Sequence, residues 1–210
     1  MRFKDLFNEM AYPQSFSFEE FNTISTYAGK QRYAEKHLKR LGSGSARVVY
    51  QIDDEKVLKL AKNRKGLAQN EVELDWGLQQ YGTVAKIYES DEDKFYWLEM
   101  QLAKKLNVSD FESINEVSWK DYIKFLDIWE SKRNDARYKS NPKDEQLFED
   151  LYENEFCSGM ASMIGDYDMP IGDLRRKNSY GIVKNDGRED VVLVDFGLNK
   201  YVHYKYYSVW

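Results

Sequence analysis

The chain has little cysteine, histidine or proline. Its 210 residues include a single cysteine, Cys157, two histidines and three prolines. A lone cysteine cannot form an internal disulfide, which excludes an exported scaffold held together by disulfides. His37 and His203 lie far apart in sequence and, with one cysteine, offer no zinc-binding pattern. The fold must therefore depend on an apolar core.

Long apolar runs and an excess of basic residues are also lacking. The longest plain runs, such as residues 191–194, have the length of a strand, whereas a membrane helix needs about 18 or more residues. The first residues are followed by Asn8 and Glu9 instead of the apolar core of a signal peptide. A net charge of -5 disfavours a nucleic-acid partner. These features predict a cytoplasmic protein without a membrane segment.

Aromatic and charged residues are abundant. The chain has 5 Trp, 16 Tyr and 11 Phe, and 32% of its residues are charged, which indicates a folded protein with a polar surface. Its length fits one two-lobed domain or two very small ones.

Hydrophobic patterning divides the chain into a strand-rich and a helix-rich part. Residues 18–36 predict a short helical arm, and residues 69–81 predict one helix among the strands. The second part predicts helices at 119–132 and 145–163, the latter with a buried apolar stripe that contains Cys157 as an inert thiol, joined by an exposed loop at 131–143. An aromatic tail at 201–210 is expected to pack on this part. Predicted strands cover 38–41, 48–52, 56–60, 85–88, 94–100 and 191–194.

Three short motifs carry the chemistry. The first, residues 42–49 (GSGSARVV), lies between two strands, where glycines allow a backbone to approach a polyphosphate. The second, residues 173–178 (DLRRKN), sets a carboxylate and an amide five positions apart. The third, residues 195–197 (DFG), follows an apolar strand. Each is weak alone: a hairpin turn, a charged turn and a strand-end turn explain them equally well.

In this order and in these contexts, the motifs resemble the protein-kinase-like superfamily, in a minimal bacterial or phage form. The resemblance implies that Lys59, on the third strand, orders the nucleotide phosphates. Either Glu71 or Glu73, on the next helix, would be its ion-pair partner; Glu71 shares a face with Leu74 and Leu78, whereas Glu73 has the Gln-Asn-x-x-Glu spacing.

The resemblance also implies the remaining roles. Asp173 would accept the proton of the attacking hydroxyl, and Arg175 would steady the transferred phosphoryl group. Asp195 and Asn178 would hold Mg²⁺, or Mn²⁺, through oxygen atoms. The residues expected to surround ATP, through the adenine walls, the phosphate loop and the connector backbone, are Leu41, Val49, Val57, Gly42, Ser43, Gly44, Ser45, Glu99 and Gln101.

Three departures from the family pattern affect the function. Arg47 replaces the third glycine of the loop, which predicts a stiffer, charged flap over the phosphates. Ile171 and Gly172 precede Asp173 in place of His-Arg, and Gly172-Asp173-Leu174 resembles the loop of aminoglycoside and choline phosphotransferases. The missing arginine is the residue that senses activation-segment phosphorylation in the family, so this mode of control is not expected. The chain continues for only 13 residues after Gly197, too few for a peptide-binding platform of the usual kind.

We therefore predict an α+β, protein-kinase-like, two-lobed fold. Residues 1–34 form an extension, residues 35–102 a lobe with a five-stranded antiparallel sheet and one helix, and residues 103–210 a reduced, mainly helical lobe. The predicted activity is ATP-dependent phosphorylation of serine or threonine in a protein, including the chain itself. Phosphorylation of a small molecule is one alternative, and a nucleotide-binding pseudokinase or inhibitor that acts through contacts is another.

Overall fold

The computed structural model describes residues 12–135 and 137–207, which form two compact units. The first unit contains the described residues up to Asp75 together with Lys86–Leu102. The second contains Trp76–Ala85 and the described residues from Ala103 onward. The segment 76–85, which the sequence assigned to the first lobe, therefore packs with the second unit.

The first unit is built on a five-stranded antiparallel sheet with the order β1-β2-β3-β5-β4. The third strand lies in the middle of the sheet. Each of the five predicted strands is correct to within three residues at both ends. The strands are β1 Lys39–Ser43, β2 Arg47–Gln51, β3 Lys56–Ala61, β4 Ile87–Ser90 and β5 Trp97–Gln101.

One face of this sheet is covered by residues 12–38. Helices α1 (Phe18–Thr23) and α2 (Tyr27–His37) pack there, each with a side-chain cap at its N-terminus. A pleated sheet presents alternate residues of each strand on one face, and aromatic rings from the covering segment pack against them. The buried cluster consists of Tyr12, Phe16, Phe21, Ala34, Leu38, Val48, Tyr50, Ile52, Leu58, Leu60 and Trp97.

The helix predicted at 69–81 is two helices. Helix α3 (Arg64–Glu73) begins early because the Asn63 side chain accepts hydrogen bonds from the amides of Lys65 and Gly66. The short helix α4 (Trp76–Gln79) follows after a break and belongs to the second unit.

The second unit is mainly helical, and here too a predicted helix is divided. Asn154 caps a new helix by accepting from the Cys157 amide, so residues 145–163 fall into two helices. The first of these has no fully buried residue, and its predicted buried stripe is wrong there, whereas Cys157 is buried as predicted. The helices are α5 Val108–Asn115, α6 Trp119–Asn134, α7 Pro142–Tyr152 and α8 Glu155–Asp166.

A second, three-stranded sheet carries the residues near the end of the chain. Strand β6 (Lys104–Lys105) pairs with β7 (Tyr180–Asn185), which forms a hairpin with β8 (Arg188–Leu193). Asp186 and Gly187 occupy the turn with φ of 49° and 86°, the left-handed conformation that a two-residue hairpin turn requires. The sequence analysis missed β6 and β7.

The predicted aromatic tail includes helix α10 (Lys200–Tyr206), and residues 208–210 lie outside the described residues. Within the described parts of the chain, none of the helices has both the length and the apolar character needed to cross a membrane. The α+β class, the five-stranded antiparallel sheet with a helix after its third strand and the helical second part are confirmed.

Candidate functional site

Lys59 and Glu73 form a buried ion pair in the first unit. Lys59 lies on β3, and its Nζ donates to Oε1 and Oε2 of Glu73 on α3 at 2.9 and 2.7 Å. The side chains are 5% and 0% exposed. Burial of two charges is tolerated only with such close pairing, because the loss of hydration is large.

The structure separates the two glutamates that the sequence left open. Glu73 lies on the buried face of α3 with Gln69 and Asn70, whereas Glu71 is exposed on the opposite side. Lys59 therefore pairs with Glu73, the residue with the Gln-Asn-x-x-Glu spacing.

The predicted apolar residues around Lys59 are only partly grouped with it. Val49 is directly opposite Lys59 in the β2–β3 register, and Val57 lies two residues away, so all three share one face of the sheet. Leu41 lies at an irregularity of the β1–β2 register and is 44% exposed.

The glycine loop is held in place by the turn between β3 and α3. Lys62 Nζ donates to the Gly44 carbonyl at 2.8 Å and to Ser43 Oγ at 3.1 Å. Asn63 Nδ2 donates to the Ser45 carbonyl at 3.0 Å, and the Lys62 amide donates to the Ala46 carbonyl at 2.8 Å. Three consecutive loop carbonyls are thus hydrogen-bonded, which fixes the path of the loop. Gly42 lies in β1.

Arg47 does not place its charge over the loop as predicted. Its side chain is 6% exposed, and its Nη1 lies 2.8 Å from Glu73 Oε1. The reason is the β2 register: Arg47 is opposite Ala61, so it shares the face of Lys59 and Glu73.

Glu99 and Gln101 also differ from their predicted role in a connector that reads adenine. Both lie within β5, and the Gln101 amide donates to the Lys86 carbonyl at 2.8 Å. The Glu99 side chain is fully buried on the other face of the sheet from Lys59, where it accepts from Tyr12 Oη at 2.6 Å. Both residues therefore lie in a strand and not in a connector, while the predicted contact of their backbone groups with adenine stays a prediction.

In the second unit, Asp173 lies in the short helix α9 (Ile171–Leu174), held by the residues that follow. Ser179 Oγ donates to the Asp173 carbonyl at 2.7 Å, and Tyr180 Oη donates to the Leu174 carbonyl at 2.8 Å. The Asp173 carboxylate remains 43% exposed and lies 3.1 Å from Arg176 Nη1. The backbone is thus fixed while the carboxylate is accessible.

Asn178 and Asp195 lie just outside the β7–β8 hairpin, at its open end. Asn178 is in a one-turn 3-10 helix, Lys177–Ser179, directly before β7, and Asp195 follows β8 by two residues. The Val194 amide donates to the Ser179 carbonyl at 2.8 Å, which holds the two segments together, and both residues are exposed. An amide and a carboxylate oxygen suit Mg²⁺, which keeps several water or phosphate ligands. The described residues contain no cluster of three or more His, Cys, Asp or Glu that could hold a metal alone.

Arg175 is directed toward α6 instead of a reacting group. Its Nε donates to Asp127 Oδ1 at 2.9 Å, its Nη2 contacts the same oxygen, and Glu130 Oε2 lies 3.6 Å away. The two carboxylates on consecutive turns of α6 account for this orientation.

One residue near Asp173 was missed by the sequence analysis. Asp168 binds Arg133 of α6 and, at 2.8 Å, Lys200 Nζ of α10. Its hydrogen bond from Lys200 lowers the pKa of Asp168, and the Arg133 charge acts in the same direction. Asp168 therefore joins the start of the Asp173 loop to the helix after Gly197. Asp168 has a positive φ of 53°, but a backbone angle is not visible in the sequence, so nothing in the sequence indicated this residue.

Fold and residues together define an α+β protein with a buried lysine–glutamate pair in its sheet unit and exposed Asp173, Asn178 and Asp195 side chains in its helical unit. No protein-family model matches the chain, and no curated protein matches it.

Three solved structures show weak similarity. SAICAR synthase from Saccharomyces cerevisiae has 9% identity and a TM-score of 0.38, over 76% of this chain and 73% of that structure. A choline/ethanolamine kinase family protein from Mesorhizobium loti has 13% identity and a TM-score of 0.33, over 76% of this chain and 57% of that structure. An ethanolamine kinase from Plasmodium vivax has 12% identity and a TM-score of 0.34, over 80% of this chain and 61% of that structure. This chain thus spans less than two thirds of either kinase, and no substrate or residue role is transferred from them.

Proposed function

We propose that this protein is an ATP-dependent phosphotransferase that transfers the γ-phosphoryl group to a serine or threonine hydroxyl of a protein, its own chain included. The observation that carries the proposal is the buried Lys59–Glu73 pair on the face that also holds Val49 and Val57.

A buried ion pair contributes little net stability, and apolar residues of similar volume often serve a core better. Ionised groups in such positions are therefore frequent at functional sites. Glu73 fixes the Lys59 ammonium as a point charge, which suits the phosphates of a nucleotide. Val49 and Val57 offer apolar contacts for a base on the same face.

The second unit supplies the other groups that phosphoryl transfer requires. Asn178 and Asp195 would hold Mg²⁺, which supplies charge neutralisation on the phosphate oxygens when bound. The acceptor oxygen forms a bond to the γ-phosphorus, the bond to the β,γ-bridging oxygen breaks, and ADP leaves. Asp173 takes the hydroxyl proton, a role that needs an accessible carboxylate on a fixed backbone.

A small molecule is the second candidate acceptor. Ile171 and Gly172 stand where protein kinases have His-Arg, and a Cβ atom at Gly172 would meet no atom within 4 Å. Open space beside Asp173 suits a compact hydroxylated substrate. A protein acceptor remains our main proposal because the Asp173 carboxylate is 43% exposed, so a side-chain hydroxyl on a protein surface can reach it.

Transfer from radiolabelled ATP, with Mg²⁺ or Mn²⁺, tests the proposal. The wild type is compared with Asp173→Asn and Asp195→Asn, and Asp186→Asn is the matched control because Asn tolerates the left-handed turn conformation there. We expect the control to transfer label normally and the two site variants to lose roughly 100-fold or more.

The acceptor decides between the candidates. Label on the chain itself or on lysate proteins supports protein phosphorylation, whereas turnover only with hydroxylated metabolites supports the small-molecule reaction. Equal label in all four proteins would contradict the assigned catalytic residues. ATP binding without any transfer would contradict an enzyme and favour a pseudokinase.

A further inference from the structure

Arg47 is the residue whose position differs most from its sequence-based role. It occupies the place of the third loop glycine, yet its side chain is 6% exposed, comparable to that of Lys59 at 5%. Arginine loses much hydration and side-chain entropy on burial. Its burial at the first residue of β2 therefore needs a specific explanation.

The Arg47 guanidinium binds two residues of α3, one helical turn apart. Its Nη1 lies 2.8 Å from Glu73 Oε1 and 3.4 Å from Asn70 Oδ1. The fully buried Asn70 is in turn fixed, because its Nδ2 donates to the Phe95 carbonyl at 2.8 Å. Arg47 thus contacts the residue that orients Lys59 and a neighbour that is itself immobilised.

Glu73 is shared between two cations. Its Oε1 accepts from Lys59 at 2.9 Å and lies 2.8 Å from Arg47, while Oε2 accepts from Lys59 at 2.7 Å. An arginine is suited to this place because it remains charged in a buried site and holds a planar, fixed geometry.

The contact also joins the loop to the helix. Lys62 and Asn63 hold the loop carbonyls from the start of α3, and Arg47 holds Glu73 from the end of the loop. The loop and α3 are therefore connected at both ends of the helix, which opposes an outward movement of Glu73.

We propose that Arg47 is a positioning residue that keeps Glu73 on Lys59 in the resting protein, so that the nucleotide-binding unit is assembled without an activating modification. The catalytic consequence rests on the proposed function. The hold on Glu73 does not, because it is a direct contact between Arg47 and Glu73 within the first unit.

A double-mutant cycle on the unliganded protein tests the hold. Glu73→Gln removes the carboxylate between two buried cations, and we expect its melting temperature to fall by roughly 10 °C. Arg47→Met leaves the Lys59–Glu73 pair intact, so its melting temperature should fall less than that of Glu73→Gln. The double variant should melt above Glu73→Gln alone, since it has one buried cation fewer.

Arg40→Met on β1 and Glu71→Gln on α3 are the matched controls, because both residues are exposed. Their effects should be small and additive. If the effects of Arg47→Met and Glu73→Gln also add, the proposal is overturned. If Arg47→Met does not fold, Arg47→Gln takes its place in the cycle, with the same expected rescue, because glutamine also removes the charge.

Two further measurements separate positioning from simple support. Hydrogen exchange of the α3 amides should accelerate roughly tenfold in Arg47→Met and remain unchanged in Arg40→Met. In the transfer assay, run well below the melting temperature, the kcat of Arg47→Met should fall roughly tenfold. Its KM for ATP should change less than about twofold, since Lys59 remains but is misplaced.

A rise in KM alone would overturn positioning, because it would place Arg47 on the nucleotide. Unchanged exchange and unchanged kcat would reduce Arg47 to a core residue and would also overturn it. If the wild type transfers no phosphate, the proposed function fails, while the thermal cycle and the exchange measurement still decide the role of Arg47.

Discussion

Tyr12 donates a hydrogen bond of 2.6 Å to Oε1 of Glu99, although 87 residues separate them. Glu99 is fully buried, its Oε2 has no hydrogen-bond partner in the described chain, and Lys56 Nζ lies 3.9 Å from that oxygen. Tyr12 thus satisfies one oxygen of a buried carboxyl group on an inner strand of the sheet. The segment that begins at Tyr12 contributes Tyr12, Phe16 and Phe21 to the core of the first unit.

Tyr12→Phe should therefore destabilise the protein by about 1–3 kcal/mol, because it leaves a buried acceptor without its donor. Thermal or urea unfolding measures the change. Tyr88→Phe is the control: Tyr88 is 44% exposed, so its change should be close to zero. In a Glu99→Gln background, the effect of Tyr12→Phe should shrink, and an undiminished effect would contradict the coupling.

Glu99 also predicts a dependence of stability on pH. Burial raises the pKa of Glu99; Tyr12 and Lys56 partly oppose this, and Glu89 and Asp53 add to it. The folded state then binds the Glu99 proton more tightly than the unfolded state does. This contribution to stability is present at low pH and is lost as the pH rises from the ordinary Glu pKa through the raised one.

The measurement compares the wild type with Glu99→Gln over roughly pH 4 to pH 8. The glutamine variant lacks this titration, so its unfolding free energy relative to the wild type should improve with rising pH. A difference that stays constant across this range would show that Glu99 has an unshifted pKa.

The sheet and the lysine were accessible from sequence because they depend on local patterns. Alternating apolar residues and polar turns located the strands, and Lys59 followed from its place on the third one. Helix caps are local signals of the same kind: the Ser118 side chain accepts from the Asp121 amide, and the Asn141 side chain accepts from the amides of Lys143 and Asp144.

The choice of Glu73 and the orientation of Arg47 were not accessible in this way. The rotation of α3 depends on where the helix begins, which the Asn63 cap sets, and the face of Arg47 depends on the β2–β3 register. Both are consequences of pairing between separate elements. The Gln-Asn-x-x-Glu spacing favoured Glu73 by resemblance only. The Asn63 cap was a physical signal, since asparagine before a helical segment is a known helix start.

Gly66 on α3 should tolerate no side chain. A Cβ atom there would lie 2.4 Å from the Ala46 carbonyl oxygen and 2.9 Å from Ala61 Cα, and both neighbours are backbone. Gly66→Ala should destabilise by about 1–3 kcal/mol, because the loop or the helix has to move. Gly172→Ala is the control, with no atom within 4 Å of its Cβ, and should be near neutral in unfolding. Equal stability of both variants would show that the loop is free to move away.

Tyr180 should support the Asp173 loop through its hydroxyl. It is buried, donates to the Leu174 carbonyl and lies 2.8 Å from the Tyr122 hydroxyl. Tyr180→Phe deprives the buried Tyr122 hydroxyl of its partner and should cost about 1–3 kcal/mol. Tyr122→Phe keeps the bond to Leu174 and should cost less, both in unfolding free energy and in phosphate transfer. Equal losses in the two variants would contradict a role for the Tyr180–Leu174 bond.

Arg175 should matter less for transfer than its sequence position suggests. Its guanidinium is bound to Asp127 and faces Glu130 on α6, and all three side chains are about 40% exposed. Exposed pairs of this kind contribute about 0–1 kcal/mol, so Arg175→Met should change melting only slightly. Its transfer rate should fall less than about tenfold, far less than that of Asp173→Asn. A loss of 100-fold or more at unchanged stability would show that Arg175 leaves Asp127 during the reaction and acts on the phosphoryl group.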